Sequence, residues 1–576
     1  MRKYTFLSTF RSRKDLKQYG TNALTLFTLQ LFFGIEDVTA IATDNVIVDG
    51  GDDGGLDLVY IDQQSKFVVI AQDYTAKGGT RKSVASSKKA RDLSSGLSLL
   101  LKMPIENVPE RLKSAAEELR VALSNGEIEN IHIWFVHNLA GSRNVRDELR
   151  IVEQTAHALL KDYDIKEIKS LEVCADELEK KWLSVSTPIL IKENFKIPCS
   201  EGLNMVGNNW KAFVTSVSLS WIYKMFKKYK TDLFSANVRD YLGLINKDRN
   251  INRGFQATAQ GDPGHFWVFN NGITALVDNF ETNEGFLKFS GLSILNGAQT
   301  TGAIGNLTKV PNKDALVQIR FVMCTDKQTV VNIKKYNNSQ NKIEAPDFRS
   351  NDQIQERLLG EFKSTDICYS PRRGGIEDII RRRSNTLSSV LTGQILSAFH
   401  GRPDIAYHKK TEIWGNDTLY NDYFNEQLNA KHIIFIFSLF EAVRRKKLNL
   451  NKKNKNGKLN DLEKEQLDFF QTRGSVFLMI AAISNCIQVF LDISIPNRFR
   501  LEFIKNFTLK EAVKTWEPLV DVVCNYLSDL QEGFSEGAVR EKHAKEAIEK
   551  FTRFIGATKQ ANKDIYSEFS KIVKQR

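Results

Sequence analysis

Six cysteines in 576 residues, none of them in a C-x-x-C pair, leave neither a zinc-finger spacing nor a disulfide framework. Cys174, Cys199, Cys324, Cys368, Cys486 and Cys524 stand far apart and read as core thiols. Long apolar runs are also missing. The most apolar stretches, Ile433 to Phe440 and Val476 to Ile483, fall well short of the roughly 20 residues that cross a bilayer. Met1 to Arg13 is polar and basic without a signal-peptide core. A membrane partner is therefore not expected, and a cytoplasmic location is. No internal repeat is visible.

What is present is an ordinary soluble composition, 42% hydrophobic and 26% charged. The length exceeds what one hydrophobic core serves, so about two to four domains are expected. A net charge of +12 makes an acidic polymer such as nucleic acid a natural partner, although it is modest for this length.

Residues 1–190 read as an α/β unit: a helix over Lys14–Phe33, strands over Asn45–Asp49, Leu56–Asp62 and Lys66–Gln72, a basic helix over Arg81–Met103, then a strand over Ile131–His137. Thr187 to Glu201, with two prolines, reads as a linker, with a strand over Ile189–Ile191 as the alternative. Residues 191–420 mix strands and helices. Residues 421–576 are overwhelmingly helical by period, over Ala430–Lys447, Asp461–Gln471, Val476–Leu491, Thr508–Gln531 and Glu541–Phe554. Within them, Arg444 to Lys458 holds eight Lys or Arg and no acidic residue, and reads as an exposed loop able to touch phosphates.

Two places carry chemistry. In the first, Gly50-Gly51-Asp52-Asp53-Gly54-Gly55-Leu56-Asp57 precedes one strand, and Gln72-Asp73-Tyr74-Thr75-Ala76-Lys77 ends its hairpin partner. An acidic residue facing a polar side chain and a lysine suits a magnesium-dependent nuclease, in which oxygens hold Mg²⁺ and an ammonium activates or positions water. The pattern resembles the Mrr-like branch of the PD-(D/E)xK superfamily, with Asp57 and Gln72 as metal ligands and Asp57, Gln72 and Lys77 as the catalytic set. Tyr74 stands where the lysine is expected. Lys77, or Lys82, Lys88 or Lys89 on the next helix, is left to supply the charge, and a degenerate domain that binds without cutting is the alternative.

In the second, Asn270-Asn271-Gly272-Ile273-Thr274 follows the strand-like run Phe266–Phe269, and Asn296-Gly297-Ala298-Gln299-Thr300-Thr301 follows Leu292–Leu295. Asn-Gly bends a chain sharply because Gly accepts positive φ, and a helix opening at Gln299 would present N–H groups to an anion. A hairpin turn and a helix cap are the plainer readings. With Leu233 to Gly243, Asn337 to Ile343, Asp347 to Ser350, Tyr369 and Arg372-Arg373, these ordered motifs resemble the AIPR family, the abortive infection phage resistance proteins. The resemblance implies a bacterial antiphage protein with a nuclease-like N-terminal domain, a phage-encoded trigger, and a homo-oligomer or defence-system partner. Read by their own chemistry, the amides and guanidinium groups of these motifs suit ligand or nucleic-acid contacts at Arg239, Asn270, Asn271, Gly272, Thr274, Asn296, Gly297, Gln299, Thr300, Asn338, Gln340, Asn341, Arg349 and Arg372. The fold expected is therefore α/β and α+β multidomain, with a restriction-endonuclease-like N-terminal domain, a mixed AIPR core and an all-helical C-terminal region.

Overall fold

The computed structural model describes residues 4–49, 54–76, 83–186, 189–199, 201–235, 258–283, 285–312, 314–324, 326, 329–330, 333, 346, 349–350, 352–371, 376–381 and 385–576. The chain is mixed α/β and forms two compact units, each discontinuous in sequence. One holds Asp176–Ile343 with two short N-terminal pieces; the other joins Phe10–Gln30 and Gly34–Ala175 to Glu344–Arg576.

In the second of these units a four-stranded sheet runs β1 (Leu58–Asp62), β2 (Phe67–Tyr74), β3 (Asn130–His137), β4 (Glu167–Val173), in that spatial order. β1 and β2 form an antiparallel hairpin, and β3 and β4 add in parallel after helical crossovers. Parallel strands covered on both faces need near-continuous apolar runs, and Val68, Val69, Ile70 and Ala71 of β2 are all buried. Helix Ser87–Leu101 closes one crossover. Its Ala90, Leu93, Leu97 and Leu100, at helical spacing, lie in the same core as Val59 and Ile70. The strand expected over Asn45–Asp49 is only an isolated bridge from Ile47 to Leu58, held by two backbone hydrogen bonds, Val48 N–H to the Asp57 carbonyl and Val59 N–H to the Val46 carbonyl. The expected long helix over Lys14–Phe33 is broken at Gly20 into a 3-10 turn, Lys17–Asn22, and helix Ala23–Phe33.

The same unit contains the C-terminal helices. Ser475–Leu491 is buried on nearly every side, and Ala430–Lys455, Leu509–Cys524 and Glu541–Ala557 contribute to the same core. Capping boxes at Asn460/Glu463 and Thr508/Glu511 start two of the helices by satisfying N–H groups that would otherwise be orphaned. The basic stretch Arg444 to Lys458 is a helix as far as Lys455, a correction to the loop reading. Helical spacing turns its residues different ways: Arg444 pairs with Glu441, Lys447 is buried and donates to the Thr43 carbonyl, and Lys452 and Lys453 remain exposed. Among the described residues no helix is long and apolar enough to cross a membrane.

The other unit is built on a sheet of β5 (Ile191–Pro198), β6 (Leu203–Val206), β7 (Trp210–Ser218), β8 (Ile273–Val277), β9 (Asn279–Asn283), β10 (Phe286–Asn296) and β11 (Leu316–Cys324). Its order is β5-β10-β8-β11-β7-β6, with β9 paired to β10. The expected linker therefore contributes β5. Phe266–Phe269, expected as a strand, is a single helical turn. A four-residue apolar run does not distinguish helix from strand by period, and Pro263 opens a 3-10 turn immediately before it. Phe266 is buried, whereas Trp267, Val268 and Phe269 are exposed.

Candidate active site and the AIPR segment

Asp57 and Gln72 come together. The hairpin register pairs Leu58 with Ala71, and the Asp57 N–H donates to the Ala71 carbonyl at 2.9 Å, which sets the two side chains at one end of the hairpin. The approach is made by two glycines at positive φ, Gly54 (+62°) and Gly55 (+86°). A Cβ on Gly55 would sit 2.7 Å from Asp92 Cβ and 3.1 Å from Gln72 Nε2, so only glycine lets the turn lie against helix Ser87–Leu101.

Both residues line a cavity of about 640 Å³ that also takes in Asp49, Asp73, Tyr74, Lys89 and Asp92. One Asp57 oxygen accepts the Asp73 N–H at 2.6 Å, which orients the carboxylate. Gln72 is 4% exposed, and its Oε1 is buried without a hydrogen-bond partner among the described residues. A buried amide oxygen left unsatisfied costs about 1–3 kcal/mol, so a group that meets it stabilises the site. Asp73 is buried too and accepts from Thr25 at 2.5 Å and from Thr75 at 2.9 Å. Burial pushes its carboxyl up to about 7, against the opposing pull of the two threonines and with a further push from Asp49. The Tyr74 ring lies 5.5 Å from the Lys89 ammonium.

Asp49, Asp73, Asp92 and Lys89 are the charged lining residues beyond the expected pair. Lys89 and Asp92, three apart on one helix, share a face, a signal legible in the sequence. Asp73 gives no such signal, since strand alternation assigns it to the face opposite Gln72. Lys77 lies outside the described residues, as does Lys82. No group of three or more His, Cys, Asp or Glu gathers as a metal cluster among the described residues.

The second set of expected residues converges in the other unit. β8 lies between β10 and β11, which brings the two Asn-Gly segments side by side. The Asn270 side chain accepts the Gly272 N–H at 2.9 Å and donates to Thr300 Oγ1 at 3.2 Å. Asn296 Oδ1 accepts the Gly297 N–H at 2.7 Å. Gly297, at φ +91°, then opens helix Ala298–Gly305 with no side-chain cap. A Cβ there would meet Ile273 Cγ1 at 2.9 Å and the Gly272 carbonyl at 3.1 Å. Thr274 accepts from Arg320 at 3.1 Å, Gln299 is half-buried in the first helical turn, and Asn271 is exposed. The strand, turn and helix expected at Asn296 are thus present, and Asn270 and Thr300 bind one another.

Arg349 sits elsewhere, in the unit with the helical region. It donates to the Trp414 carbonyl, pairs with Asp417 and Asp352, and lies 4.2 Å from the Tyr420 ring, all internal contacts. Arg239, Asn338, Gln340, Asn341 and Arg372 lie outside the described residues.

Residues 234–518 match the family model described as AIPR protein. That stretch of the chain is similar to AIPR proteins. That segment includes both Asn-Gly junctions and runs into helix Leu509–Cys524, so it contributes to both compact units. The Asp57 cavity is built from residues that precede the AIPR segment. No curated protein and no solved structure matches the chain.

Proposed function

We propose that this is a bacterial antiphage protein of the abortive-infection kind, in which a metal-dependent nuclease site at Asp57 and Gln72 acts on nucleic acid while the AIPR segment senses infection or gates the site. The AIPR match supports the defence role. The nuclease reading rests on one observation, the orphaned Gln72 oxygen and the Asp57 carboxylate in a single acidic cavity with an ammonium at its wall. The element order of helix Ala23–Phe33, bridge at Ile47, β1, β2, helix Ser87–Leu101 and β3 supports a restriction-endonuclease-like core.

The donors fit a hard, partly hydrated cation. Mg²⁺ characteristically takes one or two protein oxygens and fills the remaining positions with water and substrate phosphate, and Asp57 with Gln72 offers one carboxylate and one neutral oxygen. When bound, the ion supplies Lewis-acid charge to the phosphate and lowers the pKa of a coordinated water. The chain itself holds the Asp57 carboxylate in place through the Asp73 N–H.

Tyr74 in the expected lysine position favours a second reading, a degenerate domain that binds nucleic acid or a phage component and acts through a partner or oligomer. Cleavage of single- and double-stranded DNA and RNA, assayed with Mg²⁺ or Mn²⁺ alongside phage protection in cells, separates the two. The first predicts cleavage that Asp57→Ala abolishes together with protection. Intact substrates, even in phage lysate, with protection surviving in Asp57→Ala, refute it.

A further inference from the structure

Resting on that nuclease reading, we propose that Lys89 is the cationic group of the Asp57 site, reaching a non-bridging oxygen of the scissile phosphodiester from the helix, with Tyr74 serving as the platform that steers it. The described walls of the cavity carry four carboxylates, at Asp49, Asp57, Asp73 and Asp92, and one ammonium, Lys89. A phosphodiester entering such a space meets carboxylate repulsion, and among the described lining residues Lys89 is the positive charge that offsets it.

The local structure directs Lys89 to this task. β2 presents Gln72 and Tyr74 two residues apart, on the same side of the strand. The Tyr74 ring therefore occupies the place beside Gln72, and Lys89 lies over it at 5.5 Å, within the range of a cation–π contact. Lys89 stands in the first turn of helix Ser87–Leu101. Side chains there point back toward the helix N-terminus, and a cation is disfavoured by the helix dipole. Among the described residues Lys89 has no ion-pair partner to offset that cost, whereas Arg91 on the same helix is locked to Glu148 at 2.6 Å. A phosphate oxygen beside Lys89 relieves both costs, since the N-terminal dipole and the ammonium then act on the same anion.

The decisive variants are Lys89→Ala, the double variant Tyr74→Lys/Lys89→Ala and a neighbouring control, Lys88→Ala, in the full chain. Cleavage is measured with Mg²⁺, and binding of a labelled oligonucleotide is measured against salt with Ca²⁺ in its place. Loss of one phosphate contact lowers the slope of log K against log salt by about 0.7–0.9. Removal of one charge-stabilising donor lowers the cleavage rate by about 100-fold. Lys89→Ala is expected to show both effects and Lys88→Ala neither, while Tyr74→Lys restores most of the lost rate by returning an ammonium to the strand. Wild-type slope and rate in Lys89→Ala, alongside an inactive Asp57→Asn, overturn the role of Lys89 and leave the nuclease reading standing. Equal cleavage by wild type and Asp57→Asn removes the nuclease reading itself, and an unchanged salt slope in Lys89→Ala then removes this inference separately.

Discussion

Replacing Arg473 with methionine removes a charge that is 1% exposed from the unit that holds both the Asp57 cavity and the C-terminal helices. Its guanidinium lies 3.1 Å from the Glu118 carboxylate, itself 3% exposed, while a second nitrogen donates to the Val59 carbonyl at 2.5 Å. Tyr407 still donates to Glu118 at 3.0 Å when the arginine is gone, but a neutral hydroxyl does not replace the lost counter-charge. Breaking a buried pair from one side costs about 3–5 kcal/mol, because the remaining charge stays desolvated. That is a large share of the roughly 5–15 kcal/mol by which a domain is stable. Removing the second charge as well should recover part of the loss: in Glu118→Gln/Arg473→Met only hydrogen bonds are missing, a cost of about 1–3 kcal/mol. A chain of two units does not unfold as one transition. The assay is therefore native-state hydrogen exchange on peptides covering β1 and helix Glu110–Ser124, which reports local opening free energies. The expected order of protection is wild type, then the double variant, then Arg473→Met. A double variant no better protected than Arg473→Met refutes the argument that the stranded carboxylate carries the cost.

Two further outcomes follow from the geometry. Gly297→Ala puts a Cβ 2.9 Å from Ile273 Cγ1 at a φ of +91° and should destabilise its unit by about 1–3 kcal/mol, read as a lowered thermal midpoint; an unchanged midpoint contradicts the close packing of the two Asn-Gly segments. The Asp73 carboxyl titrates near 7 in the folded chain against an ordinary 3.8. The native state thus binds this proton more tightly than the unfolded one, and stability should fall as pH rises from about 4 to about 7, by about 4 kcal/mol at most given about 1.4 kcal/mol per pH unit. Urea titrations at several pH values should show that this fall is absent in Asp73→Asn, and an equal slope in both proteins refutes it.

The hairpin around Asp57 and Gln72 was legible because glycines, alternation and a polar strand end are local signals. The strand, turn and helix at Asn296-Gly297 were legible for the same reason. Phe266–Phe269 was misread because four apolar residues are too few to show a period. Arg444 to Lys458 was misread because composition suggested solvent, whereas a helix can turn Lys447 inward and Lys452 outward within two turns. Asp73 was hidden by its own alternation, since the cavity lies at a strand end where both faces open into it. Nothing near Arg473 in the sequence announces a partner 355 residues away, and no local pattern could assign the C-terminal helices to the same compact unit as the first sheet.

Arg473 lies within the AIPR segment, and the carbonyl it caps belongs to Val59, two residues beyond Asp57. The strand that presents the candidate metal ligand is thus completed by a side chain from the far end of the chain. An excised fragment ending near residue 175 would leave that carbonyl bare and Glu118 without its counter-charge. A recombination that exchanges the first sheet without the helices, or the helices without the sheet, must bring compatible residues at 118 and 473 together or leave a buried charge without its partner.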